Sequence, residues 1–162
     1  MTIGEIIGPD QVMVGVRVTD KRQLLQDLAG RAATALALDR GEIFDALQAR
    51  ENLGSTGLGK GFALPHARLD GLNEPFALFV RLGRPIDFAA IDERPVDLVI
   101  LLLSPANGGN QHLAMLAALS RPLRNAAFVQ RLRQAPDAPT LHSVLAQPAP
   151  PPSPLPQGEG AS

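Results

Sequence analysis

Apolar residues recur along this chain in two rhythms. In "DKRQLLQDLAGRAATAL", Leu25, Leu28, Ala32 and Leu36 share one face at helical spacing, and Asp20 stands where an N-cap belongs, with Gln23 at the capping-box distance. The pattern predicts a helix over about residues 20–36. A second helix is predicted over roughly 40–51, where Ile43, Leu47 and Arg50 follow at i, i+4 and i+7. That spacing sets the Arg50 guanidinium on the core-facing side, at the end nearest a glycine-rich loop. The other rhythm is that of strands. "QVMVGVRV", "FALP" and "FALFVRL" read as short extended segments, and "VDLVILLL" is nearly all apolar, as a central strand covered on both faces should be. "LDGLNEP" reads as a turn, "RPIDFAAIDERP" as a proline-punctuated connector with a short extended piece, and "SPANGGN" as a loop. "NQHLAMLAALSRPLR" predicts a further helix capped by Asn110, with His112, Met115 or Leu116, Leu119 and Leu123 on one stripe. Pro122 should kink or end it. Two weaker helical segments follow, at about 125–134 and 139–146.

Helices on both sides of strands, with one strand covered on both faces, imply a three-layer α/β/α domain over residues 1–146. From 147 to 162, "QPAPPPSPLPQGEGAS" is proline-rich with one charged residue, and reads as a disordered tail outside the domain. Composition narrows the function. With 45% hydrophobic and 19% charged residues, the 162-residue chain has the profile of a soluble globular protein. A net charge of -1 offers no basic field for nucleic acid. Cysteine is absent, which excludes disulfides, thiolate metal sites and a cysteine nucleophile. No signal-peptide pattern opens the chain, and the run at 98–103 is too short to span a bilayer, so a cytoplasmic protein with no membrane insertion is expected.

The stretch "GSTGLGKGFALPHAR" at 54–68 nearly contains a phosphate-gripping P-loop. Gly54, Gly59 and Lys60 fit, but residue 61 is glycine where a magnesium-binding hydroxyl belongs. The order of elements is also wrong, because a P-loop runs from a strand into a helix N-terminus. The glycines are expected instead to allow a tight turn and a close approach of the backbone to something else.

Phosphate chemistry can still belong to a histidine. His66 follows Leu64-Pro65, and proline should end the extended segment rigidly just before the imidazole. His112 falls in the first turn of its helix, where backbone N–H groups disfavour an imidazolium and hold anions. A neutral imidazole with one nitrogen free and the other tied in the right tautomer is a phosphoryl acceptor, and needs no metal or cofactor. Each residue also has a plain reading: His66 as a solvated strand-end histidine, His112 as a core-edge residue, Arg50 as a helix C-terminal cation, Ser55 and Thr56 as turn formers. His142 is read as a surface or partly buried residue with no task.

"RENLGSTGLGKGFALPHARLDG", "PIDFAAIDERPVDLVILLLSP" and "QHLAMLAALSRPLR", in that order, closely resemble the type 2 (fructose/mannitol) enzyme IIA family of the bacterial phosphoenolpyruvate-dependent phosphotransferase system, and most of all its nitrogen-regulatory branch. The resemblance covers about residues 2–146. It implies a mixed central sheet flanked by helices, no cofactor, and a histidine that takes phosphate from an HPr-type phosphocarrier. The phosphoacceptor maps onto His66, the second active-site histidine onto His112 and the active-site arginine onto Arg50, with Ser55, Thr56 and Gly57 as the phosphoryl-binding loop. Lys60, where many relatives have asparagine, and Pro122 depart from the pattern. The expected function is a phosphohistidine carrier that regulates partner proteins. The alternatives are a sugar-transport IIA that passes phosphate to a IIB component, a binding module that is never phosphorylated, and a metal-dependent hydrolase using His66, His112 and Asp70.

Overall fold

Every other element is arranged about one strand, Val96–Pro105. The computed structural model describes residues 3–147. In chain order these form α1 (Ile3–Ile6), a 3-10 turn (Pro9–Gln11), β1 (Val12–Val16), α2 (Lys21–Leu36), α3 (Arg40–Leu53), β2 (Gly57–Gly59), β3 (Phe62–Ala63), β4 (His66–Leu69), β5 (Phe76–Ile86) and β6 (Val96–Pro105). They continue with α4 (Gln111–Ser120), a second 3-10 turn (Arg121–Arg124), α5 (Ala126–Gln134) and α6 (Ala138–Leu145). β6 pairs antiparallel with β5 on one side and parallel with β3 and then β4 on the other. β1 lies parallel to β5 at one edge and β2 antiparallel to β3 at the other, which makes a mixed sheet.

The unbroken apolar run in β6 follows from its position. Val99, Leu101 and Leu103 face a cluster with Leu24, Leu25 and Leu28 of α2 and Ile43 and Leu47 of α3. Leu98, Ile100 and Leu102 face the opposite cluster, with Leu119 of α4, Phe128 and Leu132 of α5, and Leu141 and Leu145 of α6. Each face is dry, so the alternation that marks a half-solvated strand has nothing to report. The three-layer arrangement with a mixed sheet is the one the sequence led to expect.

Local signals were mostly met, with instructive exceptions. The Asp20 carboxylate caps α2 by accepting from Gln23 N–H at 2.8 Å. The Gln23 side chain, however, reaches back one residue further and accepts from Thr19 N–H at 2.6 Å. Asn110 makes no side-chain cap: its backbone is already in the right-handed helical region, at φ -74° and ψ -9°, whereas a capping residue is extended. α4 ends at Ser120, and Pro122 sits in the 3-10 turn that follows, as its ring requires. β5 runs four residues beyond Leu82, to Ile86, and accommodates Pro85 at an irregularity in its pairing with β6. β6 runs on through Ser104 and Pro105, so Ser104 is a strand residue and not the start of a loop.

His142, expected to have no task, has a structural one. Its Nε2 donates to the Ile7 carbonyl at 2.9 Å and so fastens α6 to the N-terminal segment. The proline-rich stretch read as disordered lies, from residue 148 onward, outside the described residues. Among the described residues no helix is long and apolar enough to cross a membrane.

Candidate functional site

The polar centre of the molecule is assembled at β4 and β6. The extended segment does not stop before His66, as Pro65 suggested it should. Pro65 lacks an N–H but offers its carbonyl to Leu102 N–H at 3.0 Å, so pairing with β6 resumes and His66 opens β4 opposite Leu102. Arg68 of β4 is opposite Ser104. With a period of two, Leu102 and Ser104 share the face of the sheet that α4 covers, and so do His66 and Arg68. The imidazole is thus carried on a hydrogen-bonded strand, not at a frayed end.

Two one-way hydrogen bonds set its tautomer. His66 Nδ1 lies 2.8 Å from the Leu64 carbonyl, which can only accept, so Nδ1 carries the proton. His66 Nε2 lies 3.2 Å from Arg50 Nε–H, which can only donate, so Nε2 carries the lone pair. Arg50 comes from the last turn of α3, where the spacing put it, and a second N–H of its guanidinium donates to the Gly54 carbonyl at 2.8 Å. Burial is the main influence on the ring and lowers its pKa, with Arg50 pressing the same way, while the Leu64 carbonyl and Glu51 oppose them. The net effect favours a neutral His66.

His112 packs over it, with ring centroids 5.4 Å apart and planes tilted by 50°. It enters from the first turn of α4, is buried, and meets Ser104 Oγ at 2.6 Å through Nδ1. Burial lowers its pKa too, and the charges of His66 and Arg68 add to the effect. The Arg68 guanidinium is tied to the Gly109 carbonyl at 3.1 Å, just before α4 begins.

The loop residues are engaged differently from expectation. Thr56 N–H donates to both carboxylate oxygens of Glu51, at 3.1 and 3.2 Å, and the Thr56 hydroxyl donates to the same carboxylate. Gly57 N–H donates to Ser55 Oγ at 3.0 Å. Ser55 Oγ in turn lies 3.3 Å from the Phe88 carbonyl. Gly57 is glycine for a packing reason: a Cβ there would lie 2.8 Å from the Cβ of Ala90. The close approach expected of the glycine-rich loop is therefore made to the Phe88–Ala90 segment. The loop leaves a helix C-terminus and enters the β2–β3 hairpin, which removes the P-loop reading on geometry as well.

Glu51 was not singled out in the sequence, yet it organises the loop. It is 7% exposed and takes an ion pair from Lys21 at 2.8 Å, while the Lys21 ammonium also lies 4.5 Å above the Phe88 ring. An acid in the last turn of a helix stands at the wrong end of the dipole, and that anomaly was the available signal. Arg50, Ser55, Thr56, Leu64 and His66 line a cavity of about 240 Å³, closed on the far side by Leu116, Ala117 and Ser120. Asp70 is exposed and opens on another cleft, between the turn after β4 and the end of β6. Among the described residues no three acids, histidines or cysteines are grouped as metal ligands.

The family model for "Phosphoenolpyruvate-dependent sugar phosphotransferase system, EIIA 2" matches residues 5–147. The chain belongs to the type 2 enzyme IIA family. A nitrogen regulatory protein of Bradyrhizobium diazoefficiens is 43% identical over 148 residues, which is 91% of this chain and 97% of that one. The crystal structure of the nitrogen regulatory protein IIA-Ntr from Neisseria meningitidis superposes with a TM-score of 0.83 at 32% identity, and covers 88% of this enzyme IIA and 98% of its own chain. Fold alone is shared with the mannitol enzyme IIA of Escherichia coli, solved in complex with its phosphorylated enzyme IIB, at a TM-score of 0.74 and 18% identity over 86% of this chain and 96% of that one. This enzyme IIA is thus of the nitrogen-regulatory kind by resemblance.

Proposed function

We propose that the chain is a phosphohistidine carrier and regulator that accepts a phosphoryl group on Nε2 of His66 from an HPr-type phosphocarrier. The observation that carries this reading is the double tether of the ring: Leu64 holds the proton on Nδ1, so the lone pair is held at Nε2. A new N–P bond forms at Nε2 as the N–P bond of the donor's phosphohistidine breaks. The positive charge left on the His66 ring is met at Nδ1–H by the Leu64 carbonyl. Arg50 now occupies the lone pair, so it must release Nε2 before attack, and its guanidinium is then at hand for the phosphoryl oxygens. His112 is the second group beside the transferred phosphoryl. Ser55 and Thr56 serve chiefly to line the cavity, since their hydroxyls and the Thr56 and Gly57 N–H groups are already engaged within the protein.

A protein donor fits the rim. The large apolar side chains most exposed among the described residues are Leu53, Leu58, Ile91 and Leu113. Leu53 precedes Gly54, Leu58 follows Gly57, Leu113 follows His112, and Ile91 N–H meets the Gly57 carbonyl at 3.5 Å. Such a rim suits a macromolecular surface. Phosphorylation adds about 1.5 to 2 negative charges at its centre, enough to change which partner docks there.

The test is phosphotransfer with phosphoenolpyruvate, enzyme I and an HPr-type carrier. Acid-labile, alkali-stable phosphate should appear on the wild type and be missing from His66→Ala. A wild type that stays unlabelled overturns the carrier reading in favour of a binding module. The likeness to nitrogen regulatory proteins favours regulation over sugar delivery, so mannitol- or fructose-type IIB should not unload the label. Rapid unloading would establish the transport role.

A further inference from the structure

Ser104 is among the few polar residues buried in the described part of the molecule, and nothing so far accounts for it. It is 1% exposed, lies in β6 opposite Arg68, and is two residues beyond Leu102, the register partner of His66. It therefore stands on the same face as His66, one pleat repeat further along the sheet. Its Oγ meets His112 Nδ1 at 2.6 Å, and among the described residues it has no other hydrogen-bond partner.

That single partner decides the direction of the bond. A serine hydroxyl is both a donor and an acceptor, whereas a neutral imidazole nitrogen is one or the other. If His112 Nδ1 carried the proton, Ser104 would accept, and its own hydrogen would be buried with no acceptor. If Ser104 donates, its hydrogen and the Nδ1 lone pair are both satisfied. The proton of His112 is then on Nε2. That nitrogen has no protein partner among the described residues, and it is not sealed away, since every fully buried side-chain nitrogen and oxygen there is bonded.

We propose that Ser104 is a positioning residue that fixes His112 as the Nε2–H tautomer, so that the two facing rings hold opposite tautomers. His66 presents a lone pair at Nε2, and His112 presents an N–H at Nε2. Each is set by one oxygen, the carbonyl of Leu64 in the link between β3 and β4 for one and the hydroxyl of Ser104 on β6 for the other. The consequence for transfer rests on the reading of His66 as phosphoacceptor: His112 donates to a phosphoryl oxygen on its neighbour, and it can do so while neutral. Had both rings the same tautomer, two lone pairs would face the incoming anion.

The experiment uses the full chain labelled with ¹⁵N-histidine, and long-range ¹H–¹⁵N NMR above the ordinary imidazole pKa. The expected spectrum shows His112 protonated on Nε2 with a bare Nδ1, and His66 the reverse. Ser104→Ala should turn the His112 pattern into an average of two tautomers and slow phosphotransfer to His66 about tenfold, roughly the worth of one hydrogen bond. Ser104→Thr, which keeps the hydroxyl, should restore both. A wild-type His112 protonated on Nδ1 overturns the assignment, and so does a Ser104→Ala protein whose His112 keeps its single pattern. The wild-type spectrum decides the tautomer even where a variant fails to fold. If the tautomers are as stated but the wild type takes no phosphate, the carrier reading fails and the assignment of Ser104 stands.

Discussion

Removing the Glu51 carboxylate should loosen the whole Gly54–Leu58 segment. Among the described residues its carboxylate is the only hydrogen-bond partner of the Thr56 N–H and hydroxyl, and Thr56 is 2% exposed. Glu51→Ala leaves both donors buried and unmatched, at about 1–3 kcal/mol each. Lys21 also loses its ion-pair partner, but its side chain is 25% exposed and can turn to water, so that loss adds little. The sum is about 2–6 kcal/mol, or a fall in Tm of about 4–24 °C for a domain of this size. Lys21→Met is the informative companion. It strands a buried carboxylate that still has its Thr56 donors, so it should cost about 2–3 kcal/mol, below the usual range for breaking a buried pair. Because the chain has neither Trp nor Tyr, urea unfolding is best followed by far-UV circular dichroism. Coupling between Lys21→Met and Thr56→Val should exceed about 0.5 kcal/mol in a double-mutant cycle, since both act through one carboxylate. A Glu51→Ala protein within about 1 kcal/mol of wild type would refute the reasoning, and would mean that the loop is held by its contacts with Phe88 and Ala90 alone.

Three further outcomes can be checked in the same way. His66 and His112 both have folded pKa values below the ordinary 6.5, so the unfolded chain binds protons more readily than the folded one. Their contribution to stability is full above about pH 6.5 and is lost as pH falls through that value towards the folded pKa; urea midpoints should drop with acid, and His66→Gln/His112→Gln should flatten the slope. Lys60 has a φ of +58° in the β2–β3 turn, a conformation that a lysine side chain disfavours, so Lys60→Asn or Lys60→Gly should raise stability by up to about 1 kcal/mol in urea unfolding. Arg81 Nη1 lies within 2.7–3.2 Å of the Leu132, Arg133 and Ala135 carbonyls at the end of α5, and Arg81→Met should cost about 2 kcal/mol and speed amide exchange there.

Apolar spacing disclosed α2, α3 and the covered strand because each buries a stripe whose period is set by backbone geometry. It could not disclose what happens after Pro65, because a missing N–H stops pairing only where the neighbouring strand needs that donor. Here Leu102 needs only the Pro65 carbonyl, and the ladder continues through His66. At the site, His66, His112 and Arg50 were legible by residue type and by family resemblance, and the structure brings all three together. Glu51 and Ser104 were not: their partners lie only five and eight residues on, at 2.6–3.2 Å, but apolar periodicity reports which positions are buried and not which polar groups meet. Thr56 was legible as a loop residue, but the direction of its hydroxyl was not. His142 illustrates the same limit: nothing near it in sequence hints at the Ile7 carbonyl, 135 residues away.

His66 stands on a strand that pairs with β6 from the residue before it onward, with its ring already tethered at both nitrogens. Such a nucleophile has almost no travel. When the proposed phosphoryl group arrives, the adjustments available to the protein are small turns of side chains such as Arg50. The bare and loaded forms would then share one shape and differ in electrical character at a single opening. A partner that distinguishes them has to sit on that opening and feel the charge directly, and a surface on the far side of the molecule would carry no news of it.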